Sequence, residues 1–170
     1  RWRATVGQQW HDNLRQQAVS QPGHAIFEKP LQGTWLENEW QITITGKVDQ
    51  WIERAGYITI REIKTISRLL PMSDEELLAH YPTYYAQLQV YLATAIHLGQ
   101  AQDETLHGEL VFVSISEGLV QTVEVPARDL SIYKAQRKKF ADFLVQRNTD
   151  HDRLRNLPFK PPFSKWRPGQ

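Results

Sequence analysis

The order of local patterns along this chain predicts a mixed β-sheet flanked by helices, of the α/β or α+β class. Three observations predict it: a helical stripe near the start, a series of strand-like runs, and helical segments that alternate with two further strand-like runs. The chain has 170 residues, of which 41% are hydrophobic. That length and composition suffice for one domain with a proper core.

The first half of the chain supplies one predicted helix and the first strands. Apolar side chains at every fourth position predict the helix over residues 5–19: Val6, Trp10, Leu14 and Ala18. Four β-like runs follow, "HAIFEKPL", "TWLENEWQITIT", "GKVDQWIER" and "YITIREIKT". The break at residues 54–56 suits a short hairpin turn between the last two runs.

Helix signals then mark the middle of the chain. Ser73 with Glu76 three residues later forms a capping box, which predicts a short helix to about His80. Pro82 is a favoured first residue of a helix, and Gly99 is a favoured stop. A longer helix is therefore predicted between them.

The last third predicts two strands, a helix and an extended tail. The strands lie on either side of residues 117–118, and an amphipathic helix follows from Arg128 to about Arg147. Its predicted inner side carries Ile132, Tyr133, Gln136, Phe140, Phe143 and Leu144. The proline-rich end predicts a domain over residues 1–157 and an extended tail or linker over residues 158–170.

Composition excludes several kinds of site. The chain has no cysteine, which removes disulfides, zinc–thiolate sites and iron–sulfur clusters and fits a cytoplasmic protein. Any metal must be held by His, Asp, Glu or carbonyl oxygen, which favours Mg²⁺ or Mn²⁺. No apolar run is long enough for a membrane span. A net charge of +1 does not by itself indicate a nucleic-acid partner, which would need a local basic surface.

The segment "TGKVDQWIERAGYITIREIKT" carries the chemistry. Glu62 and Lys64 share one face of a strand, and Ile63 points the other way into the core. A hairpin would bring Asp49 next to Glu62, where two carboxylates repel unless a cation lies between them. A lysine beside that cation can orient water, as phosphodiester hydrolysis requires. The alternative is a simple surface ion pair.

These residues, with two further motifs, resemble the RecB-like branch of the PD-(D/E)XK nuclease superfamily. The branch has Gly-x-x-Asp, then an acid-x-Lys-Thr at a strand end, then Gln-x-x-x-Tyr on the next long helix, and often Gly-x-x-x-His on an N-terminal helix. The matching residues here are Gly46 and Asp49; Glu62, Lys64 and Thr65; Gln87 and Tyr91; and Gly7 and His11. Val48 stands where the first motif often has proline.

The resemblance implies a restriction-endonuclease-like core and a metal-dependent DNA nuclease, expected to act as an exonuclease on single strands or DNA ends. It implies a metal site made of His11, Asp49, Glu62 and the backbone carbonyl of Ile63. It implies catalytic roles for Asp49, Glu62, Lys64, Gln87 and Tyr91. The cofactor would be Mg²⁺ or Mn²⁺, and the iron–sulfur cluster of many relatives is excluded by the missing cysteines.

Plain structural roles stay open for several of these residues. His11 follows Trp10 beside an apolar stripe, where a histidine is often a boundary residue. Gln87 and Tyr91 share a helix face and could belong to the core. Glu28 is a further acid on an early strand, with a possible part in shaping the site. Five other histidines match no metal spacing and are expected at the surface or its boundary: His24, His80, His97, His107 and His151.

DNA contact is expected from cationic and aromatic side chains near the motifs. Arg68 follows the catalytic strand, and Tyr84, with Gln87 and Tyr91, is a candidate for placing the substrate strand. Tyrosines just before Gln87 could stack on single-stranded bases or belong to the core: Tyr81, Tyr84 and Tyr85. A basic cluster on the last helix is expected to be a solvated face: Lys134, Arg137, Lys138 and Lys139.

The two ends of the sequence indicate a fragment of a larger protein. The chain starts at Arg1 rather than methionine. The final "PFSKWRPGQ" resembles the segment that opens the motor of Rad3/DinG-type helicases, with Gln170 at its edge; an ordinary proline-rich tail is the alternative. The resemblance implies a helicase domain in the same polypeptide, a role in DNA repair or recombination, and nucleoid association if the protein is bacterial. A catalytically silent DNA-binding or scaffolding module is the alternative function.

Overall fold

The structure is a computed structural model that describes residues 10, 12, 13, 15, 16, 19, 23–102, 104–128 and 130–158. All described residues before residue 23 are helical, in agreement with the helix predicted over residues 5–19. Gly7 and His11 lie outside the described residues, as does the tail from residue 159, including Gln170.

The described residues form a five-stranded sheet with three bounded helices. The strands are β1 (His24–Glu37), β2 (Trp40–Arg54), β3 (Tyr57–Ile66), β4 (Leu106–Ser114) and β5 (Val120–Pro126), and the helices are α1 (Asp74–His80), α2 (Pro82–His97) and α3 (Ser131–Arg155). The strands lie in chain order; β3 and β4 are parallel and every other neighbouring pair is antiparallel. The predicted mixed sheet is confirmed.

The first three predicted runs form two long strands, and the fourth is β3. The run "TWLENEWQITIT" was expected as one strand, which is wrong, because a turn at Asn38 and Glu39 separates β1 from β2. Asn38 has a φ of 53°, a left-handed conformation that asparagine tolerates better than most residues. The hairpin turn predicted at residues 54–56 is confirmed, since Ala55 and Gly56 have φ values of 37° and 90°.

The helix signals in the middle of the chain are confirmed. The Ser73 hydroxyl accepts a hydrogen bond from the Glu76 N–H at 3.2 Å, and the Glu76 carboxylate accepts one from the Ser73 N–H at 3.2 Å. Helix α1 begins directly after this box, and α2 begins at Pro82. Gly99 follows α2 with a φ of 65°.

Helix α3 differs from its prediction in length and in burial. It begins at Ser131 and continues to Arg155 rather than ending near Arg147, because no glycine or proline occurs before Pro158. Three of its predicted inner residues are exposed: Gln136, Phe140 at 49% and Phe143 at 58%. The apolar side therefore packs on the domain mainly in its first part, around Tyr133.

The main core lies between the sheet and α2, which approaches the strands closely at two glycines. A Cβ on Gly108 would lie 2.9 Å from the Cδ1 of Leu92, and one on Gly46 would lie 2.5 Å from the Cε1 of Tyr91. The opposite face has a small core of Ile63, Val111 and Val113, on which Trp10 packs. None of the helices within the described ranges is long and apolar enough to cross a membrane.

Candidate active site

The candidate site lies where the ladder between β2 and β3 ends. The last paired residues are Gln50 and Arg61, and the next register position would pair Asp49 with Glu62. Side chains bridge the strands there instead: the Asp49 N–H donates to the Glu62 Oε1 at 3.1 Å, and the Ile63 N–H donates to the Asp49 Oδ2 at 2.8 Å. The hairpin thus brings the two predicted acids together and holds them by reciprocal bonds.

Lys64 completes this group on the same face of β3. Its Nζ lies 2.8 Å from the Glu62 Oε2, and 5.4 Å from the ring centroid of Tyr84. Ile63 has the opposite orientation, as predicted, and enters the small core. We refer below to Asp49, Glu62 and Lys64 together as the acid–lysine group.

Glu62 is the buried member of the acid–lysine group, and its charge is unfavourably placed. Glu62 is only 1% exposed. Burial raises the pKa of Glu62, the negative charge of Asp49 raises it further, and Lys64 acts in the opposite direction. A divalent cation between the two carboxylates would offset both the burial and the repulsion. The chemistry of these donors therefore fits a hard, oxygen-liganded cation.

Asp49 lies on this face because the inward–outward alternation of side chains along β2 is interrupted next to it. Val48 and Trp51 belong to the same core cluster although they are three residues apart, whereas a regular strand places them on opposite faces. Trp51 pairs with Ile60 of β3, on the same face as Glu62. Asp49, two residues before Trp51, shares that face.

The partner strand changes phase at the same ladder position. Glu28 lies opposite Asp49 in the β1–β2 register, but the pair is missing from the ladder and Glu28 has a φ of 51°. Ile26 and Leu31, on either side of it, both contact the main core despite their odd spacing. The carboxylate of Glu28 pairs with Arg15 at 2.8 Å. Glu28 is therefore next to the site in the strand register through a left-handed backbone, while its carboxylate is paired with Arg15.

Gln87 and Tyr91 form a connected pair on α2. The Gln87 Nε2 donates to the Tyr91 hydroxyl at 3.1 Å. The Tyr91 ring lies over Gly46 so closely that any side chain there would collide with it. This contact links the first and last sequence motifs physically, because the glycine three residues before Asp49 is the surface on which the tyrosine packs.

The other predicted contact residues lie around this centre. Arg68 is exposed beyond the end of β3, and Tyr84 stacks on Tyr81 with ring centroids 5.5 Å apart and an angle of 7° between the rings. The expectation of a solvated basic cluster on α3 is wrong for Arg137, which forms an ion pair with Glu37. The remaining members of that cluster are exposed: Lys134, Lys138 and Lys139.

The metal-ligand set implied by the resemblance is described only in part. His11 lies outside the described residues, and its neighbour Trp10 packs on the small core beside Ile63. Within the part of the chain that the structure describes, no three His, Asp or Glu side chains converge as a metal site. The acid pair is the only part of the implied set for which side-chain geometry is described, and the role of His11 stays a prediction.

Sequence reasoning missed two features beside the site. A left-handed glutamate has no signature in the "AIFEKPL" pattern, so the phase change at Glu28 could not be predicted. Lys29 places its Nζ 3.3 Å from the ring centroid of Trp51, and burial lowers the pKa of Lys29. The available sequence signal for that contact was the position of Trp51, which lies two residues after Asp49 on the same predicted strand.

Comparisons with known proteins address the family and the fold. The profile of the PD-(D/E)XK nuclease superfamily matches residues 1–162. A search of curated proteins found no match. Among solved structures, the crystal structure of SSO0001 is similar, with 22% sequence identity and a TM-score of 0.53 over 81% of this chain. The match spans 60% of that chain, and at this identity the likeness concerns the fold.

Proposed function

The chain belongs to the PD-(D/E)XK nuclease superfamily, and we propose that it is a divalent-metal-dependent deoxyribonuclease that hydrolyses phosphodiester bonds. The observation that carries the proposal is the acid–lysine group. A buried carboxylate bonded to the strand of a second carboxylate is costly for stability alone, and it provides what a catalytic cation requires.

The proposed metal site uses Asp49 and Glu62, joined by His11 and the backbone carbonyl of Ile63. Bound Mg²⁺ or Mn²⁺ would supply positive charge to the reacting phosphate and lower the pKa of a water molecule. Asp49 retains its bond from the Ile63 N–H, which fixes the orientation of its carboxylate. Glu62 is held from two sides, by the Asp49 N–H and by Lys64.

Lys64 is the catalytic residue of the proposed site that does not bind the metal. Its ammonium group is held by Glu62 on one side and lies near the Tyr84 ring on the other, so its position is restricted. From there it can orient an attacking water and stabilise negative charge that develops on the phosphate. Gln87 and Tyr91 line the same face and help to place the scissile strand.

We propose single-stranded DNA or DNA ends as the substrate and exonuclease action as the mode. The parallel stack of Tyr81 and Tyr84 next to Lys64 supports this, because aromatic faces bind unpaired bases with little sequence preference. Arg68 is exposed just beyond β3 and is available to a backbone phosphate. The RecB-like motif order supports action within a larger helicase–nuclease in repair or recombination.

A catalytically silent DNA-binding module is the second candidate. It would explain the fold equally well, but not the retention of Asp49, Glu62 and Lys64 in bonded geometry.

The experiment that separates the two candidates incubates the protein with labelled single- and double-stranded DNA in Mg²⁺, Mn²⁺ or EDTA, beside Asp49→Ala. Cutting that requires metal and is lost in Asp49→Ala is expected. Binding without cutting under every condition would favour the silent module. Cutting that persists in EDTA would contradict the metal dependence.

A further inference from the structure

A cavity of about 440 Å³ lies between the β1–β2 hairpin and α3, away from the acid–lysine group. Its volume falls within the range of about 300–1,000 Å³ that is typical of small-ligand sites. Strand β2 and helices α2 and α3 provide its walls. Its lining residues are Ile42, Thr43, Ile44, Thr45, Val90, Tyr133, Gln136, Arg137 and Phe140.

Two lining residues keep buried polar atoms without a hydrogen-bond partner. These atoms are the Tyr133 hydroxyl oxygen and the Arg137 Nε. Tyr133 is 4% exposed, and burial raises its pKa, which keeps the hydroxyl protonated as a donor. Buried polar atoms of this kind are costly unless a ligand or water satisfies them. Both atoms have almost no accessible surface, so the polar group that the lining presents here is the partly exposed guanidinium of Arg137.

Arg137 is fixed rather than free at the edge of the cavity. It pairs with Glu37 and lies over the rings of Trp35 and Tyr133, at 5.8 and 5.6 Å from their centroids. A guanidinium held in this way loses little conformational entropy when a ligand arrives. Phe140 adds a half-exposed ring to the same wall.

The cavity and the proposed catalytic site lie on neighbouring parts of the same two elements, β2 and α2. Thr45 precedes Gly46, and Val90 precedes the Tyr91 that covers Gly46. Along β2, Thr45 lies four residues from Asp49, or about 13 Å at 3.3 Å per residue. That separation is comparable to a few nucleotides of an extended strand.

The charge of α3 beside the cavity favours an anionic occupant. Residues 131–140 contain four basic residues and no acid, and three of the four are exposed: Lys134, Lys138 and Lys139. Exposed cations next to a mainly apolar cavity match a nucleotide, whose phosphate stays in solvent while its base is buried.

We propose that this cavity binds one unpaired nucleobase of the substrate strand, a few nucleotides from the scissile phosphate. The base lies between the aliphatic side chains of β2 and the Phe140 ring, with its polar edge at the guanidinium of Arg137. Lys134 and Lys138 contact the flanking phosphates. The proposal deepens the proposed function, on which it rests, by assigning a base-binding pocket to the nuclease.

The test measures binding of a labelled single-stranded deoxyoligonucleotide by fluorescence anisotropy in Ca²⁺ and in EDTA. Phe140→Ala should weaken binding about tenfold, the scale of one lost base stack. Phe143→Ala is the matched control, since it is an exposed phenylalanine on the same helix outside the cavity, and it should stay within about twofold of the parent. Equal effects of Phe140→Ala and Phe143→Ala would overturn the proposal.

A second arm locates the bound base. A single abasic residue is moved along the oligonucleotide, and each substrate is measured with the parent protein and with Phe140→Ala. At one position the abasic residue should lower the affinity of the parent about tenfold but should not lower the affinity of Phe140→Ala further. This is expected when both changes remove the same contact. Abasic penalties that are identical in the two proteins at every position would contradict the pocket.

These measurements need no cleavage, so the two proposals can fail separately. Position-specific coupling in a protein that never cuts DNA would support the base pocket and refute the nuclease. Normal cutting without any coupling would refute the pocket alone, and absence of binding in both buffers would also refute it.

Discussion

Two ion pairs on β3 have cations three residues apart, Arg61 and Lys64, and they differ in the burial of the acid and in its other partners. Arg61 pairs with Glu109 of the neighbouring strand at 2.6 Å, and both side chains are about one-fifth exposed, at 19% and 22%. Lys64 pairs with Glu62 at 2.8 Å, but Glu62 is 1% exposed and also accepts a hydrogen bond from the backbone N–H of Asp49. The first pair joins β3 to β4 within a continuous ladder, and the second lies just beyond the last pair of the β2–β3 ladder.

The difference distinguishes an ordinary structural ion pair from the pair that we propose to be functional. Arg61 satisfies Glu109 and also donates to Gln50, so the carboxylate has ordinary partners and some solvent. Burial, and then the negative charge of Asp49, raise the pKa of Glu62, and Lys64 and the Asp49 N–H oppose this only in part. A simple ion pair would not need Asp49 beside it. The description of a simple surface ion pair therefore suits Arg61 and Glu109 better than it suits Glu62 and Lys64.

The largest expected effect contrasts the two cations. Lys64→Ala should lower kcat/KM for DNA cleavage by about 10²–10³-fold, the usual loss when one preorganised electrostatic group is removed. Arg61→Ala should stay within about threefold of the parent, because its partners lie on the other face of the sheet. Steady-state cleavage of a labelled oligonucleotide measures both. Similar losses in the two variants would erase the distinction.

Gly46→Ala should have the next largest effect. The added methyl group would lie 2.5 Å from the Tyr91 ring, so α2 must shift relative to β2. Overpacking of this kind costs about 1–3 kcal/mol in free energy of unfolding. Cleavage should fall about tenfold with it, since Gln87 moves as well. Gln41→Ala, at an exposed position of β2 outside the cavity, is the control. An unchanged midpoint of chemical denaturation in Gly46→Ala would contradict the packing argument.

Substitutions of Glu28 test the phase change that turns Asp49 toward Glu62. Glu28→Val should destabilise the fold by about 1–2 kcal/mol, since β-branched residues resist the left-handed conformation, and should lower cleavage severalfold. Glu28→Gly should preserve both stability and cleavage although it loses the pair with Arg15. Denaturant titration and cleavage rates check this. If Gly and Val behave alike, the role belongs to the carboxylate rather than the backbone.

The smallest effect is expected for the structural pair itself. Glu109→Gln should change the free energy of unfolding by less than about 1 kcal/mol, as is usual for partly exposed ion pairs. The glutamine retains the shape of the side chain and can still accept from Arg61. Denaturation at low and high salt measures the change, and a loss of several kcal/mol would show that this pair is not ordinary.

Local chemistry made most of the fold predictable. The Ser73–Glu76 box and Pro82 fixed the starts of two helices, and the turn before Gly56 fixed the β2–β3 hairpin. The turn at Asn38 was missed because its flanks continue the same alternation of apolar and polar residues. The far end of α3 was missed because exposed helix beyond the sheet lacks an apolar period.

The site was predictable in its chemistry but not in its geometry. Strand alternation placed Glu62 and Lys64 together, and the hairpin brought Asp49 to them. The reciprocal backbone bonds, the phase change at Glu28 and the contact of Gly46 with Tyr91 depend on how strands part and how a helix docks. Such tertiary features have no signal in residue spacing.

We propose that Asp49 and the buried Glu62 serve a metal-dependent nuclease. Single-turnover cleavage in Mg²⁺ by two isosteric variants tests this proposal. Glu62→Gln and Glu109→Gln each replace one carboxylate of an ion pair by an amide. The account predicts that Glu109→Gln cuts DNA like the parent, only when metal is present, and that Glu62→Gln does not cut. Metal-dependent cleavage at the parental rate by Glu62→Gln would contradict it.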